Sequence, residues 1–516
     1  MYRYNVGEKY VFCDTIHYNE VNLTIDSSKL FHLDEFNLKG ENYEITYSQV
    51  RSNMYIAGIL DLTKTFGNEN KKKLYKCNPD DKRIPNFLIP YNIPPSFDKS
   101  KTYLYVTFQY KHWDKENPYG ILTNNIGCVN HLPNVYEYML YCKSLNHPIN
   151  EFNKVSLYQI NKHINVIENI KTYYDLNEDS GHIFTIDSTK SVDFDDAISV
   201  NDNIVRIYIS NVALVLDYLN LWTAFSKRIS TIYLPDKKRS MLPMILTNSI
   251  CSLNEKTKRI CLVKEFKFEN NIGIHVKTYV CCANISRNYS FEDPKLLKHK
   301  DYLHLKKLTS SNSTNDLISK LMILYNNHSA SQLKEYKKGI YKNIPQIYSS
   351  PKNVYESIEK FKMSSSKYIE YENENCDYLQ ITSPIRRLID LLNMYLICKH
   401  ILKINVTENS DIFYDNWVKQ LDYINITTRH IRKLQSKCKL LSIFHENQHK
   451  IFKGYVFDKI KRMDERFHYN IYLPELNIFS SLNTHYDIEE YKCKEFKLFM
   501  FHDEGTIKKK LKLSII

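Results

Sequence analysis

The 516-residue chain carries 71 Lys plus Arg against 58 Asp plus Glu, a formal charge of +13, and is 13% aromatic with 41 tyrosines. That length suffices for three or four domains and a sizeable core, and the basic balance with its many ring faces favours an acidic polymer as partner. Twelve cysteines include no Cys-x-x-Cys pair and no His/Cys grouping at zinc spacing, and the adjacent Cys281 and Cys282 make no site by themselves. A structural zinc centre is excluded on that pattern, and reduced thiols in an intracellular protein, cytoplasmic or nuclear, are expected. No basic-then-apolar leader opens the chain and no uncharged apolar run approaches a membrane span, so the expectation is a soluble protein, not secreted and without a membrane partner.

In chain order, residues 1–50 give short strand-like pieces at Tyr10–Phe12 and Val21–Ile25. Residues 51–150 read as short strands, Tyr55–Leu60, Phe87–Ile89 and the alternating Tyr103–Phe108, broken by Lys71-Lys72-Lys73 and Pro-bearing loops. This is the pattern of a small barrel with basic loops. A helical pattern over Val155–Asp175 leads into a long central region ending near 445, and residues 446–516 return to short strands and finish in Lys508-Lys509-Lys510. No internal repeat or low-complexity segment interrupts this order.

Chemistry concentrates at Ile186-Asp-Ser-Thr-Lys-Ser-Val-Asp-Phe-Asp-Asp-Ala197, where Asp187, Asp193, Asp195 and Asp196 crowd together in a basic chain. Carboxylates that converge in a partly dry site raise one another's pKa, so a cation among them is the simplest way to keep them ionised. Oxygen ligands suit Mg²⁺ or Mn²⁺, and a carboxylate-held Mg²⁺ commonly serves phosphate chemistry. A calcium loop fails, because counting from Asp193 puts Ile198 where Gly belongs and Ile204 where the bidentate Glu belongs. The competing account is a solvated acidic turn. Against it, Ile183, Phe184 and Ile186 lead in and Ile198, Val200, Ile204, Val205, Ile207 and Ile209 lead out, so the acids sit between strand-like runs that belong in a core.

A second constellation reads Tyr378-Leu-Gln-Ile-Thr382-Ser383-Pro384-Ile385-Arg386-Arg387-Leu388-Ile389-Asp390. Ser383 or Thr382 as N-cap, Pro384 at the first helical position and apolar Leu388, Leu391, Leu392, Tyr395 and Leu396 predict a helix start here. Arginines in a first turn oppose the helix dipole, which points to an anion bound at that end.

The acidic string and the Thr-Ser-Pro-Ile-Arg-Arg string, in this order, resemble the two signature motifs of the ribonuclease II/ribonuclease R (RNB) exoribonuclease family. Between them Tyr233-Leu-Pro, Met241-Leu-Pro, Cys251-Ser-Leu-Asn254 and Arg259 are similar to the family's run after its catalytic acids. Upstream, Asp81-Lys-Arg-Ile-Pro85, Trp113, Pro118-Tyr-Gly120 and Asn125-Ile-Gly127 resemble the second cold-shock-like domain of the eukaryotic exosome catalytic-subunit branch. The resemblance implies an α+β multidomain chain with a central RNB catalytic domain at 151–445. Flanking it would be a shortened first cold-shock-like barrel at 1–50, a second at 51–150 and an OB-type RNA-binding barrel at 446–516.

It further implies a Mg²⁺-dependent, Mn²⁺-tolerant, processive 3′→5′ exoribonuclease that releases nucleoside 5′-monophosphates from single-stranded RNA, alone or in a degradation complex such as an exosome core. Asp187, Asp193, Asp195 and Asp196 carry over as metal ligands, with Asp195 the most sensitive to substitution. Arg386 carries over as the residue that neutralises the scissile phosphate. Tyr233 matches the base-stacking aromatic, where sequence alone reads only a strand tyrosine, and Thr382, Ser383 and Arg387 belong to the RNA-binding set. The chain departs from the pattern at Asn211, Lys342, Met394 and Tyr395, and no late acidic residue matches in the stretch Arg432–Leu441. These departures favour a second reading, a weakly active or non-catalytic RNA-binding member of the same family. A third reading, an unrelated Mg²⁺-dependent phosphatase or nucleotidyl enzyme, accounts for the acids alone.

Overall fold

The computed structural model describes the chain apart from residues 7–9, 16–18, 24, 41, 95–101, 343–352, 373–376 and 504–505. It is a mixed α/β, multidomain protein that divides into two compact units. One comprises Met1–Asn146, Leu234–Asp236 and Ser436–Ile516, the other His147–Tyr233 and Lys237–Gln435.

The first unit is built from β-modules. Strands Tyr2–Val6, Tyr10–Asp14, Glu20–Val21, Glu35–Lys39 and Asn42–Tyr47 form an antiparallel five-stranded sheet around Tyr4, Leu30 and Phe36. The strand expected over Val21–Ile25 is confined to Glu20–Val21, and Thr24 lies outside the described residues. Strands Ile56–Glu69, Lys72–Pro79, Phe87–Tyr91, Tyr103–His112 and Tyr119–Cys128 close into a barrel, sealed by a parallel pairing of Leu88 with Tyr119. The run Leu104–Phe108 is buried throughout because its two faces enter different cores. Leu104, Val106 and Phe108 face the barrel interior, while Tyr105 packs outside on Tyr138 of the helix Leu132–Cys142, ring centroids 4.1 Å apart. Lys71, Lys72 and Lys73 form an exposed hairpin tip, for which Asn70 and Lys71 take the positive φ that a tight hairpin turn demands. Ile451–Lys461, Phe467–Leu473, Ile478–Thr484, Cys493–Asp503 and Thr506–Ile515 make a second antiparallel five-stranded sheet, its core formed by Phe452, Val456, Ile471, Leu473 and Phe496.

The second unit carries a seven-stranded mixed sheet in the order Asn177–Asp179, Ile272–Ile285, Thr257–Glu269, Ile204–Ser210, Asp196–Asn201, Phe184–Asp187, Arg287–Ser290. Only Ser286 separates the second and last of these strands in the chain, so the sheet must curl until its two sides approach. The Ser286 N–H donates to the Ile183 carbonyl at 2.7 Å where they meet. Val205, Ile207, Tyr208, Ile209, Cys261, Leu262 and Val263 are fully buried, which explains why the central strands read as apolar runs. Against the sheet lie the helices Val212–Tyr218 and Thr314–Glu335, and the buried helix Leu388–Leu396 follows the second signature string. All described cysteines are free, and no described helix is long and apolar enough to cross a membrane.

Candidate active site

The acidic string is the connection between two neighbouring antiparallel strands. Asp187 ends Phe184–Asp187 and Asp196 begins Asp196–Asn201, which places the acids at one end of the sheet. The intervening loop is pinned from outside. The Phe194 N–H donates to Ser252 Oγ at 3.0 Å, the Leu253 N–H to the Phe194 carbonyl at 3.0 Å and the Ser210 N–H to the Asp195 carbonyl at 2.9 Å. Arg259 in turn holds the Ser252 carbonyl through Nε at 2.7 Å. The Cys251–Asn254 and Arg259 motif is therefore the clamp that shapes the acidic loop.

Asp195 is 2% exposed. Its Oδ1 accepts the Ile385 N–H at 2.9 Å, and its Oδ2 faces Arg386 Nε at 3.1 Å in an ion pair without hydrogen-bond alignment. Burial pushes the Asp195 carboxyl up to about 7, against the pull of Arg386 and the Ile385 amide. Asp187 and Asp196 are also driven upward, first by burial and then by neighbouring charge, from Asp195 and Asp187 respectively. Asp187 Oδ2 is buried with no hydrogen-bond partner. Three desolvated carboxylates thus share one guanidinium, a deficit of positive charge that a hard, oxygen-seeking divalent cation would fill.

The fourth acid differs. Both oxygens of Asp193 accept from Lys238 Nζ at 2.8 Å, a partner supplied by the hairpin Ile232–Tyr233/Lys238–Arg239. Asp193 is spoken for by a lysine that the local sequence pattern does not single out, so three acids and not four depend on the single guanidinium of Arg386. Among the described residues, the set of three ligand atoms within 4.8 Å of one another is His182, His299 and Asp301, not the Asp cluster. That trio has ordinary work. His182 Nδ1 meets Asp301 Oδ2 at 2.8 Å, and His299 Nδ1 accepts the Asp301 N–H at the start of the helix Lys300–Leu308.

The second string does not begin a helix at Pro384. Residues 384–386 form a turn, with the Arg386 and Arg387 amides donating to the Ser383 carbonyl at 3.2 and 3.0 Å, and the helix runs Leu388–Leu396 with Arg387 as its cap residue. The reason is non-local. The Thr231 N–H and Ser230 Oγ donate to the Arg386 carbonyl at 3.0 and 2.9 Å, the Leu388 N–H donates to the Ile229 carbonyl at 2.9 Å, and Ser230 bridges Arg387. These bonds hold Arg387 extended after the turn, so that the helix cannot begin before Leu388. Asp390, in the first turn, ties the string to the helix by accepting the Ser383 N–H at 2.8 Å and Arg387 Nη2 at 2.7 Å. Ser383 is buried and its Oγ accepts from Arg386 Nη2 at 3.2 Å, while Thr382 is also buried, so the two hydroxyl residues sit behind the arginine and away from open solvent.

Tyr233 is 45% exposed, and its backbone N–H donates to Gln435 Oε1 at 3.0 Å. With Arg386 and Arg387 it lines a cavity of about 250 Å³. The departures have structural explanations in part. Asn211 caps the helix Val212–Tyr218 through the Leu214 N–H at 3.2 Å, Met394 is fully buried, and Tyr395 bonds Asp411. Lys342, 2% exposed, lies 4.5 Å from the Tyr368 ring centre.

Comparison with known proteins gives a consistent picture. A family model described as the RNB domain matches residues 174–296. Ribonuclease R of Chlamydia pneumoniae is 36% identical over 85 residues, 15% of this chain and 13% of that protein. Ribonuclease R of Mycoplasma genitalium is 35% identical over 129 residues, 23% of this chain and 18% of its own length. The matched segments thus span under a fifth of either relative. In structure, M. genitalium RNase R in complex with ribose-methylated single-stranded RNA superposes with a TM-score of 0.68 at 17% identity, covering 99% of this chain and 100% of that one. Yeast Ssd1, a pseudonuclease, gives 0.54 at 13% identity over 91% and 70% of the two chains. At those identities the likeness is one of fold.

Proposed function

With residues 174–296 forming an RNB domain the chain belongs to the RNB ribonuclease family, and we propose that it is a Mg²⁺-dependent 3′→5′ exoribonuclease that hydrolyses single-stranded RNA to nucleoside 5′-monophosphates. The observation that carries this reading is the pairing of the two signature strings: Arg386 and the Ile385 amide close on Asp195, within the charge field of Asp187 and Asp196.

Asp187, Asp195 and Asp196 would hold the cation, with Asp193 joining them only if Lys238 lets go. When bound, Mg²⁺ lowers the pKa of water and offsets charge gathering on phosphate oxygens. The protein's own groups do the rest. Arg386, half-exposed beside the acids, can turn its planar fork from Asp195 to two oxygens of a phosphodiester, a bidentate grip that lysine lacks. Ser383 steadies that guanidinium from behind, and Asp390 fixes Arg387 so that the turn 384–386 keeps its shape. Tyr233 offers a ring face at the cavity mouth on which a base can stack, worth about 1–3 kcal/mol by analogy with other single-strand binders. The Lys71–Lys73 tip and the overall charge of +13 supply phosphate attraction that should weaken with salt. An intracellular location and association with an RNA-degradation complex complete the proposal.

The test is the fate of 5′-labelled single-stranded RNA with Mg²⁺ or with chelator, run on the unaltered chain and on Asp195→Asn. We expect mononucleotides and a short residual oligomer with Mg²⁺ only, and a rate at least about 10³-fold lower for the variant with RNA affinity nearly retained. Full activity in chelator, or normal cleavage by the variant, would remove the centre described above. The Asp193–Lys238 ion pair is the observation that favours the second reading, a weak or non-catalytic RNA binder, and binding without cleavage in this assay would select it.

A further inference from the structure

The cavity beside Arg386 is walled by Tyr233, Tyr368, Arg386, Arg387, Arg432 and Gln435 among others. Its arginines are not equivalent. Arg386 faces Asp195 at 3.1 Å and Arg387 faces Asp390 at 2.7 Å. Arg432 makes no ion pair or hydrogen bond among the described residues. It is held in position nonetheless. It lies three residues before Gln435 on the helix Leu421–Glu446, on the same face, and Gln435 is fixed by the Tyr233 amide. Asn425 of that helix bonds both backbone groups of Tyr368, accepting its N–H at 2.7 Å and donating to its carbonyl at 2.9 Å. The ring of Tyr368 carries the buried Lys342 ammonium 4.5 Å from its centre. The wall therefore concentrates cations, one of which finds no carboxylate, in a space on the order of a single nucleoside. A partly buried guanidinium without a counter-charge is costly, and a ligand anion is the natural remedy.

We propose that this cavity accepts RNA 3′ ends that carry a phosphomonoester, with Arg432 pairing to the terminal phosphate. The inference rests on the exoribonuclease reading and narrows its substrate class to include strands left 3′-phosphorylated by earlier cleavage. A terminal phosphomonoester is close to a dianion at neutral pH and supplies what a 3′-hydroxyl cannot. In the first turnover, water oxygen bonds to the scissile phosphorus and the phosphorus–3′-oxygen bond breaks. The departing 3′-oxygen keeps the electron pair and takes a proton. The released unit, holding its new 5′-phosphate and its original terminal phosphate, is a nucleoside 3′,5′-bisphosphate.

The experiment compares two 5′-labelled RNAs of one sequence, ending in 3′-hydroxyl or 3′-phosphate, on the full chain with Mg²⁺. The expected result is a kcat/KM for the first cleavage about tenfold higher for the phosphorylated strand, with nucleoside bisphosphate seen by mass spectrometry. Arg432→Gln should bring the ratio of the two strands to about one, and Arg432→Lys should recover part of it; the ratio cancels any general loss of fold. Equal rates in the unaltered protein, or a ratio untouched by Arg432→Gln, would overturn the proposal. Inorganic phosphate is the competing source of the same chemistry, and Arg432-dependent inhibition by phosphate without strand preference would also overturn it. If neither RNA is cut, the nuclease reading has failed, and fluorescence anisotropy of both strands in chelator still decides the pocket: tighter binding of the 3′-phosphate strand, lost in Arg432→Gln, upholds it and equal binding refutes it.

Discussion

Lys264 and Asp195 are both sealed within the sheet-bearing unit, 0% and 2% exposed, yet they are housed in opposite ways. Lys264 Nζ lies 3.1 Å from His328 Nδ1, bonds Gln332 Oε1 and sits 5.3 Å from the Tyr325 ring centre, and the His275 ring stacks on His328 at 3.7 Å. With neutral partners only, burial drives Lys264 well below its ordinary range, so it can shed its proton and serve as a hydrogen-bonding packing group. Asp195 has no such escape that would satisfy all its neighbours. Asp187 and Asp196 compete with it for protons and for Arg386, and protonating one leaves the others buried. A lone buried charge resolves itself by titration, whereas a cluster of like charges beside one counter-charge calls for something from outside. That contrast separates a structural ionisable group from a candidate functional one.

The widest test of the contrast is Arg386→Lys. It keeps the counter-charge for Asp195 but loses the fork, so single-turnover RNA cleavage should fall about 100-fold while the melting temperature stays within a few degrees. A parallel fall in both would make the arginine a brace for the fold. Next is Asp187→Asn, followed by thermal melts in chelator. The Asp187 carboxyl is raised in the folded state, so the folded protein binds the extra proton between the unfolded pKa near 4 and its own higher value, and stability is lost as pH rises through that window. The asparagine variant should gain about 1–2 kcal/mol at pH 8, part of that at pH 5 and almost nothing near pH 3, while losing activity. A gain independent of pH would contradict the repulsion account.

Lys264→Met should have the smallest effect, up to about 1 kcal/mol of stabilisation, offset in part by the loss of its bonds to His328 and Gln332. Here the sign reverses. A depressed lysine means the unfolded chain binds more protons below the ordinary lysine pKa, so stability falls as pH drops from about 10, and the methionine should help more at pH 7 than at pH 10. RNA cleavage should not change, and a large loss of activity would erase the distinction drawn between the two clusters.

What the sequence made legible follows from distance along the chain. The acids lie in one short segment between apolar runs, so their gathering at a sheet end could be read from residues 183 to 209 alone. Arg387 and Asp390 are three apart, an ordinary helical spacing. Asn211 before an apolar run is a legible N-cap. The helix starts later than local capping rules predict because the bonds that close the turn and keep Arg387 extended come from residues 229–231, which lie far away in the chain. The same holds for Lys238, which reaches Asp193 only because a hairpin returns it there. Arg432 looks like any charged residue of an amphipathic helix until the cavity wall is assembled around it.

The backbone bonds between Thr231 and Arg386, and between Leu388 and Ile229, act through peptide groups that every non-proline residue possesses. Tyr233 and Arg386 are thereby coupled through main chain, like the two jaws of a caliper whose gap is set by the frame and not by the facings. Under the proposed function, replacing the tyrosine would alter what one jaw grips yet leave the interval between base and phosphate unchanged. Only a substitution that removes a peptide N–H, proline at 231 or 388, would let that interval drift.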